Sequence, residues 1–301
     1  MQKKLYFVDM VRRLEDFWRK RGFLVVFTWD MPKGAGTSSP YTFFWSLGGK
    51  PCNVAYLEPC RRPGDGRYGD SPNRLGRFYQ YQVIAKPAPG DIRAIYESSL
   101  ESLGLSIGDH ELRYVEDDWE SPTLGASGIG WEVWLDGLEI TQFTYFQNFA
   151  GMELGRIPVE ITYGLERIAM YLQGVDSIFD IAWDQNYLYG DVFHRNYERE
   201  FSHYHFEEYD AGRGFALFEE TLREAKHLIE RRLVLPAYEC ILNLSHIFNS
   251  LDARGAISIE ERNRLIADTR NVAKQVARVY IEKNDEQAGR QHTAGSIQGK
   301  E

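Results

Sequence analysis

The sequence predicts an α+β protein: an antiparallel β-sheet domain flanked by helices over residues 1–185, a C-terminal all-helical domain over 186–285 and a flexible tail over 286–301. Three observations carry this reading. Apolar and aromatic runs at 53–60, 78–86 and 131–147 read as strands, and Asp136-Gly137 joins two of them as the strongest short hairpin signal in the chain. Phe7, Val11, Leu14 and Trp18 recur at helical steps ahead of these runs. From about residue 213 the helical period stands alone, through Phe215, Phe218, Leu222, Ala225 and Ile229.

Taken in order, the first helix is amphipathic, with Arg12, Arg13, Asp16, Arg19 and Lys20 opposite its apolar stripe, and it ends near Gly22. GFLVVFTW then reads as a buried strand, and MPKGAGTSSP as an exposed loop rich in glycine and proline. NVAYLEPC and FYQYQVIAK flank an arginine-rich segment, so the three together form a long hairpin with a charged tip. Asp91 is placed to cap a helix carrying Ile92, Ile95, Tyr96, Leu100 and Leu103, which Gly104 ends. Strands ELRYVED, WEVWLDG and LEITQFTYFQ follow, then VEITYG, which leads into a helix with Leu165, Ile168, Ala169 and Leu172 on one face and Gly174 as its stop. Pro236 starts a further helix and the capping box Ser258-x-x-Glu261 opens the last one. The closing stretch EQAGRQHTAGSIQGKE is nearly free of apolar side chains and is expected to fray.

Composition narrows the function classes. With 301 residues and 43% apolar character, the chain can bury one large core and a smaller one. Acidic residues outnumber basic ones by 44 to 35, a formal net charge of −9, which excludes a protein coated in positive charge for polyanion binding. Any phosphate chemistry must then rest on local arginines. Cys52, Cys60 and Cys240 make no C-x-x-C pair, so neither a disulfide framework nor a zinc site is signalled, and a reducing compartment fits. No apolar run is long enough for a membrane span, and the expectation is a soluble cytoplasmic protein.

The segment RRPGDGRYGDSPNRLGRFYQYQVIAKP places five arginines and four glycines between two strands. A guanidinium makes paired, charge-assisted bonds to phosphate oxygens, and glycine lets backbone amides come close to the same anion. Arg74 and Phe78 stand four apart, so the ring could stack on a base while Arg74 reaches phosphates. Phe78, Gln80 and Gln82 share one strand face by the period of two. A solvated tip whose arginines pair with carboxylates would show the same composition.

Three stretches, RRPGDGRYGDSPNRLGRFYQYQV, EDDWESPTLGASGIGWEVWLDGLEITQFTYFQ and EITYGLERIAMYLQGVDS, together resemble the alpha subunit of the bacterial two-subunit glycyl-tRNA synthetase, a class II aminoacyl-tRNA synthetase. The similarity runs from the first helix through the C-terminal helices. It implies a class II catalytic domain that condenses glycine with ATP to glycyl-adenylate and passes glycine to tRNA(Gly) together with a beta subunit, in an alpha–alpha homodimer within an α2β2 assembly. Under the resemblance the loop corresponds to class motif 2, with Arg61 on the α-phosphate, Arg74 on the distal phosphates and Phe78 on adenine. Arg62 competes with Arg61 by strand parity, and the pair Arg77/Tyr81 repeats the spacing of Arg74/Phe78. GLER at 164–167 resembles motif 3, which puts Arg167 near adenine and the γ-phosphate at a helix N-terminus. Glu139 matches the acidic ligand for Mg2+. Selecting glycine requires filled space where a Cβ would go, and the candidates are Thr37, Trp119, Glu132 and Trp134, with Gln80, Gln82 and Glu132 or Glu160 for the ammonium group.

Departures from the family pattern are visible too. Motif 1 usually carries a proline, whereas Phe27-Thr28-Trp29 precede Asp30 here. Glu160 and Thr162 occupy strand positions that are usually glycine in motif 3, and Cys60 stands where serine is usual. Asp191, His194, His203 and His205 fit no zinc spacing and read as surface or loop residues. Arg270, Lys274 and Arg278 form a basic stripe on the last helix, either a solvated face or a contact to a partner subunit. Two other functions share these residue types: a synthetase-like paralogue that binds nucleotide or a partner without charging tRNA, and an amino-acid adenylating enzyme with a non-tRNA carrier.

Overall fold

A computed structural model describes residues 5–298, with side chains described up to residue 288. Its sheet domain is built from β1 (Leu24–Val25), β2 (Cys52–Arg61), β3 (Arg77–Lys86), β4 (Leu112–Ser121), β5 (Ala126–Leu135), β6 (Leu138–Phe149), β7 (Met152–Glu153) and β8 (Val159–Gly164). The strand order is β1-β2-β3-β8-β6-β5-β4, with β7 added to β6. Every pairing is antiparallel except β1 with β2. The β5–β6 hairpin turns at Asp136 and Gly137, both at positive φ (47° and 85°), as an Asp-Gly turn demands.

The two faces of the sheet differ in chemistry because successive residues point to opposite sides. Tyr81, Val83, Ala85, Phe143, Ile161 and Tyr163 bury one face against α1 (Phe7–Lys20), α3 (Ile92–Leu103) and α4 (Leu165–Gln173). Trp18 of α1 is fully buried there, edge-on to Phe17 and Phe23. Such side chains contribute about 1.5–3 kcal/mol each. The alternate residues, including Glu58, Gln80, Gln82, Glu160 and Thr162, put polar groups on the other face. At one end of that face a second core forms from Phe43 and Phe44 of α2 (Pro40–Leu47), Phe146 and Phe149 of β6, and residues of α6 (Ala211–Glu230), α7 (Val234–Ala253) and α8 (Ile259–Gln298).

Several local expectations hold. Gly104 and Gly174 end α3 and α4 in the left-handed conformation. Ser258 and Glu261 exchange both bonds of a capping box at the start of α8. Others are corrected. GFLVVFTW forms only the two-residue edge strand β1, with Leu24 exposed and Phe27 93% exposed, because it lies at the sheet margin. The segment 31–40 is no exposed loop: Lys33, Thr37 and Ser39 are buried, and α2 starts at its end. Asp91 takes the N-cap position of α3 without a side-chain cap bond. α8 is described as far as Gln298, within the stretch 286–301 read from the sequence as a tail, whose residues 299–301 lie outside the described residues.

Candidate active site

The β2–β3 register sets which arginine faces which way. Cys60 pairs with Phe78 and Arg61 with Arg77, so Arg61 and Arg77 share one side of the hairpin while Arg62 follows Cys60 on the polar side. Arg62 donates from Nε to the Gly34 carbonyl at 2.7 Å, and its guanidinium lies 5.0 Å from the Phe78 ring centroid. Arg61 points away, into a small cleft with Tyr197, Glu198, Phe201 and His205. Of the two arginines between which the sequence left the register open, Arg62 thus lies beside Phe78 on the polar face and Arg61 lies on the other side of the hairpin. By the same parity Arg77 sits over Tyr197 and Tyr81 is buried in the apolar core, whereas Arg74 and Phe78 line a cavity on the polar face.

The arginine loop between these strands is tied down. Glu198, buried on α5 (Arg195–His203), accepts the Arg67 amide at 2.6 Å on one carboxylate oxygen and the Gly76 amide at 2.8 Å on the other. Ser202, one turn on, accepts the Tyr68 amide at 3.0 Å, and the Tyr68 hydroxyl donates to Glu207 at 2.8 Å. The Arg62 amide donates to the Gly76 carbonyl at 2.7 Å and closes the base of the loop.

Two adjoining cavities open on the polar face. The first, about 180 Å³, is lined by Arg62, Arg74, Phe78, Gln80, Glu139 and Arg167, among others. Arg74 pairs with Asp65 at 3.1 Å. Arg167, in the first turn of α4, donates to the Glu139 carbonyl at 2.8 Å and to its carboxylate at 3.1 Å. Beside it Glu166 is buried, accepts the Tyr79 amide and the Tyr189 hydroxyl at 2.7 Å each, and is pushed up to about 7 by burial.

The second cavity, about 630 Å³, shares Arg62, Asp65, Gln80, Gln142 and Thr162 with the first. Thr37, Trp119 and Glu160 also line it. Glu160 accepts the Thr37 hydroxyl at 2.7 Å and the Gln82 amide, while Thr162 donates to Gln82 at 2.9 Å. Burial raises Glu160 to about 8 despite these bonds. Gln80 accepts the Gly36 amide at 2.9 Å. Below, Lys33 and Glu58 form a buried ion pair at 3.0 Å, and the Thr28 hydroxyl donates to Glu58 at 2.6 Å. Glu132 lies on the same sheet face, opposite Gln142, but accepts the Trp134 indole N–H at 2.9 Å and does not line either cavity.

A family model described as the glycyl-tRNA synthetase alpha subunit matches residues 7–285. The chain belongs to that family. It is 52% identical over 281 residues to the glycine–tRNA ligase alpha subunit of Petrotoga mobilis, covering 93% of this chain and 98% of that one. Two solved structures of pyrrolysyl-tRNA synthetase from Desulfitobacterium hafniense are similar to it at TM-scores of 0.46 and 0.45, with 16% and 17% identity. They cover 63% and 62% of this chain and are themselves covered over 77% and 76%.

In this glycyl-tRNA synthetase alpha subunit the hairpin brings Arg62, Arg74, Phe78 and Gln80, β8 brings Glu160, β6 Glu139, the first turn of α4 Arg167 and the segment before α2 Thr37 onto two adjoining cavities, with Gln82 buried beneath. Residues not singled out from the sequence are Lys33, Glu58, Glu166 and Glu198; for Glu58 the strand parity shared with Cys60 was the available signal. His194 and His205 are buried rather than on the surface, with burial holding both down at about 4, because α5 and its flanking turns pack them behind the hairpin. Among the described residues no His, Cys, Asp and Glu cluster could hold a metal by itself. Glu139 offers a single carboxylate, already shared with Arg167, which fits Mg2+ only as an ion carried largely by phosphate and water oxygens.

Proposed function

We propose that this glycine–tRNA ligase alpha subunit makes glycyl-adenylate on the polar sheet face, with ATP in the smaller cavity and glycine in the larger. The observation that supports this most is Arg62, which lines both cavities where they meet. The glycine carboxylate attacks the α-phosphorus there, a P–O bond forms, and pyrophosphate leaves with the electron pair of the broken bond. Arg62 bears on the charge that develops on the α-phosphate, Arg74 and Arg167 on the departing pyrophosphate, and Phe78 gives adenine a stacking face. Glu139 would hold Mg2+ together with phosphate oxygens, and the ion would supply further charge neutralisation. Thr37 and Glu160 hold the ammonium group, with Gln82 orienting the Glu160 carboxylate from beneath and Gln80 fixing Gly36 at the pocket wall.

In the second step the terminal ribose hydroxyl of tRNA(Gly) attacks the glycyl carbonyl and AMP leaves. A beta subunit completes the enzyme, and we place two copies of each chain in an α2β2 assembly of the cytoplasm. Exposed Leu24 and Phe27 beside β1 suit contact with a second alpha chain. Among the described residues no helix is long and apolar enough to cross a membrane.

Glycine-dependent exchange of pyrophosphate into ATP, with alanine and serine as controls, tests the reading. Arg62→Ala should lower the exchange rate about 100- to 1,000-fold, the scale of removing one preorganised donor from a developing charge. Arg61→Ala should keep most of it. The reverse ranking would refute the assignment, and exchange with none of the three amino acids would refute the function.

A further inference from the structure

We propose that a third cavity, beside the reaction site, receives a backbone phosphate of the acceptor RNA strand as its 3′ end reaches the glycyl group. This rests on the reading of the chain as a tRNA-charging subunit. The cavity, about 600 Å³, lies between α8, the β4–β5 turn and the β6–β7 turn; Arg270, Lys274, Asn271, Ser127 and Asn148 supply polar lining, and Glu120, at the edge shared with the larger reaction cavity, is its one carboxylate against two cations. Its size is that of a small-ligand site.

Two features set its cations apart. Arg262 and Arg264, earlier on the same helix, are paired with Asp252, and with Glu219 and Asp268. Arg270 and Lys274 have no carboxylate partner within 4.0 Å among the described residues, in a chain of net charge −9. Bare backbone also meets their stems. Gly125 and Gly151 stand at positive φ (60° and 67°), joined by an N–H···O bond of 2.8 Å. A Cβ on Gly125 would come within 3.1 Å of the Arg270 Cγ, and one on Gly151 within 3.8 Å of the Lys274 Cδ. The turns thus seat two cationic side chains one helical turn apart at a concave surface.

Position identifies the occupant. The cavity shares Glu120, Ser121 and Pro122 with the larger reaction cavity, so only the β4–β5 turn divides them. Transfer puts the terminal ribose at the glycyl carbonyl, and the strand behind it carries one negative phosphate per nucleotide out over the rim. Unpaired cations at that rim match such a strand. An acidic segment of a protein partner could meet the same charges, but would gain nothing from a cavity that adjoins the reaction site. Arg278, the third member of the stripe, lies outside the cavity lining.

The test uses the complete alpha–beta complex with Arg270→Glu and Lys274→Glu combined, and Arg278→Glu as control. Glycine-dependent exchange needs no RNA and should stay at the wild-type rate, with the beta subunit still co-purifying. The KM for tRNA(Gly) in aminoacylation should rise at least about tenfold, and its log–log salt slope should shrink by about 0.7–0.9 for each phosphate that is no longer neutralised. Arg278→Glu should change neither. Unchanged aminoacylation in the double variant would overturn the proposal, and so would loss of the beta subunit, which would make the cavity a protein interface. Absence of exchange in the wild-type complex would instead refute the functional reading beneath it.

Discussion

Replacing Glu198 with glutamine should loosen the arginine loop without touching a group that faces the substrates. The carboxylate accepts two backbone amides, from Arg67 at 2.6 Å and Gly76 at 2.8 Å. Hydrogen bonds to a charged acceptor contribute about 1.5–3 kcal/mol each. In Glu198→Gln one bond becomes an ordinary amide–amide bond and the other becomes donor against donor, a combined loss of about 2–4 kcal/mol of loop order. At 1.4 kcal/mol per tenfold, that is a fall of roughly 30- to 700-fold in the equilibrium favouring the ordered loop. The Ser202–Tyr68 and Arg62–Gly76 bonds remain and offset part of it. The expected result in the exchange assay is a KM for ATP raised at least about tenfold, with the KM for glycine unchanged because Thr37, Gln82 and Glu160 come from other elements. Ser202→Ala, which removes one neutral bond, should act in the same direction by about fivefold, near 1 kcal/mol. A wild-type KM for ATP in Glu198→Gln would refute the clamp; an equal rise in both KM values would show general unfolding instead.

Two further predictions concern the glycine side. Because burial raises Glu160 to about 8, its carboxyl is largely protonated in the empty site at neutral pH, whereas an ammonium group needs the anion. The KM for glycine should therefore fall as pH rises from about 6.5 to 8.5, and Glu160→Gln should raise it and flatten the profile. The stability sign is the opposite: a raised carboxyl pKa stabilises the folded chain below the ordinary carboxylate range, and that contribution is lost as pH rises through about 8, so melting temperature should fall over this window in the wild type more than in Glu160→Gln. A pH profile that survives the substitution would remove Glu160 from the ammonium site. Gly36→Ala should act by steric exclusion, since its Cβ would stand 2.5 Å from Gln82 Oε1 and 2.9 Å from Gln82 Cγ, both buried. Displacing Gln82 takes a partner from Glu160, and the KM for glycine should rise about tenfold or more, as when buried polar groups lose a bond; a normal KM in titrations of purified variant would refute the packing argument.

What the sequence made legible is what repeats with a short period or lies within one segment. Period-two alternation put Phe78, Gln80 and Gln82 on one face, and the Asp136-Gly137 turn, the Ser258 capping box and the glycine stops of α3 and α4 are all local chemistry. Parity also held the key to Arg62, since that residue follows Cys60 and Glu58 on the polar side; the resemblance to motif 2 alone pointed to Arg61. Long-range pairings left no such trace. Glu198 meets Arg67 across 131 positions, and Lys33 meets Glu58 from within a segment whose glycines and prolines imitate an exposed loop. Edge position is equally silent: GFLVVFTW has the composition of a central strand, yet only Leu24 and Val25 pair. The aromatic and histidine residues of 186–210 show no single period because α5 is flanked by wide turns, and their burial follows from packing behind the hairpin.

Under the proposed assignment, the division of the site between a clamped loop and a rigid sheet would give the two substrates separate dependences. On the nucleotide side, Arg62 and Arg74 lie at the two ends of a glycine-rich segment, which must be ordered before its charges can converge on phosphate, and that ordering comes from α5. On the glycine side, Gln82, Glu160 and Thr162 project from β3 and β8, two adjacent strands paired at six positions in the middle of the sheet. Their bonds form across that pairing, so little entropy is left to lose on binding. A substrate with no side chain offers few contacts, and selectivity must then come from walls that do not move; a sheet interior provides them, whereas a loop would give way to an added methyl group. Phosphate recognition tolerates the opposite arrangement because long-reaching, charge-assisted bonds supply its energy. Lesions in α5 should accordingly appear in ATP terms, and lesions under the strands in discrimination between glycine and alanine.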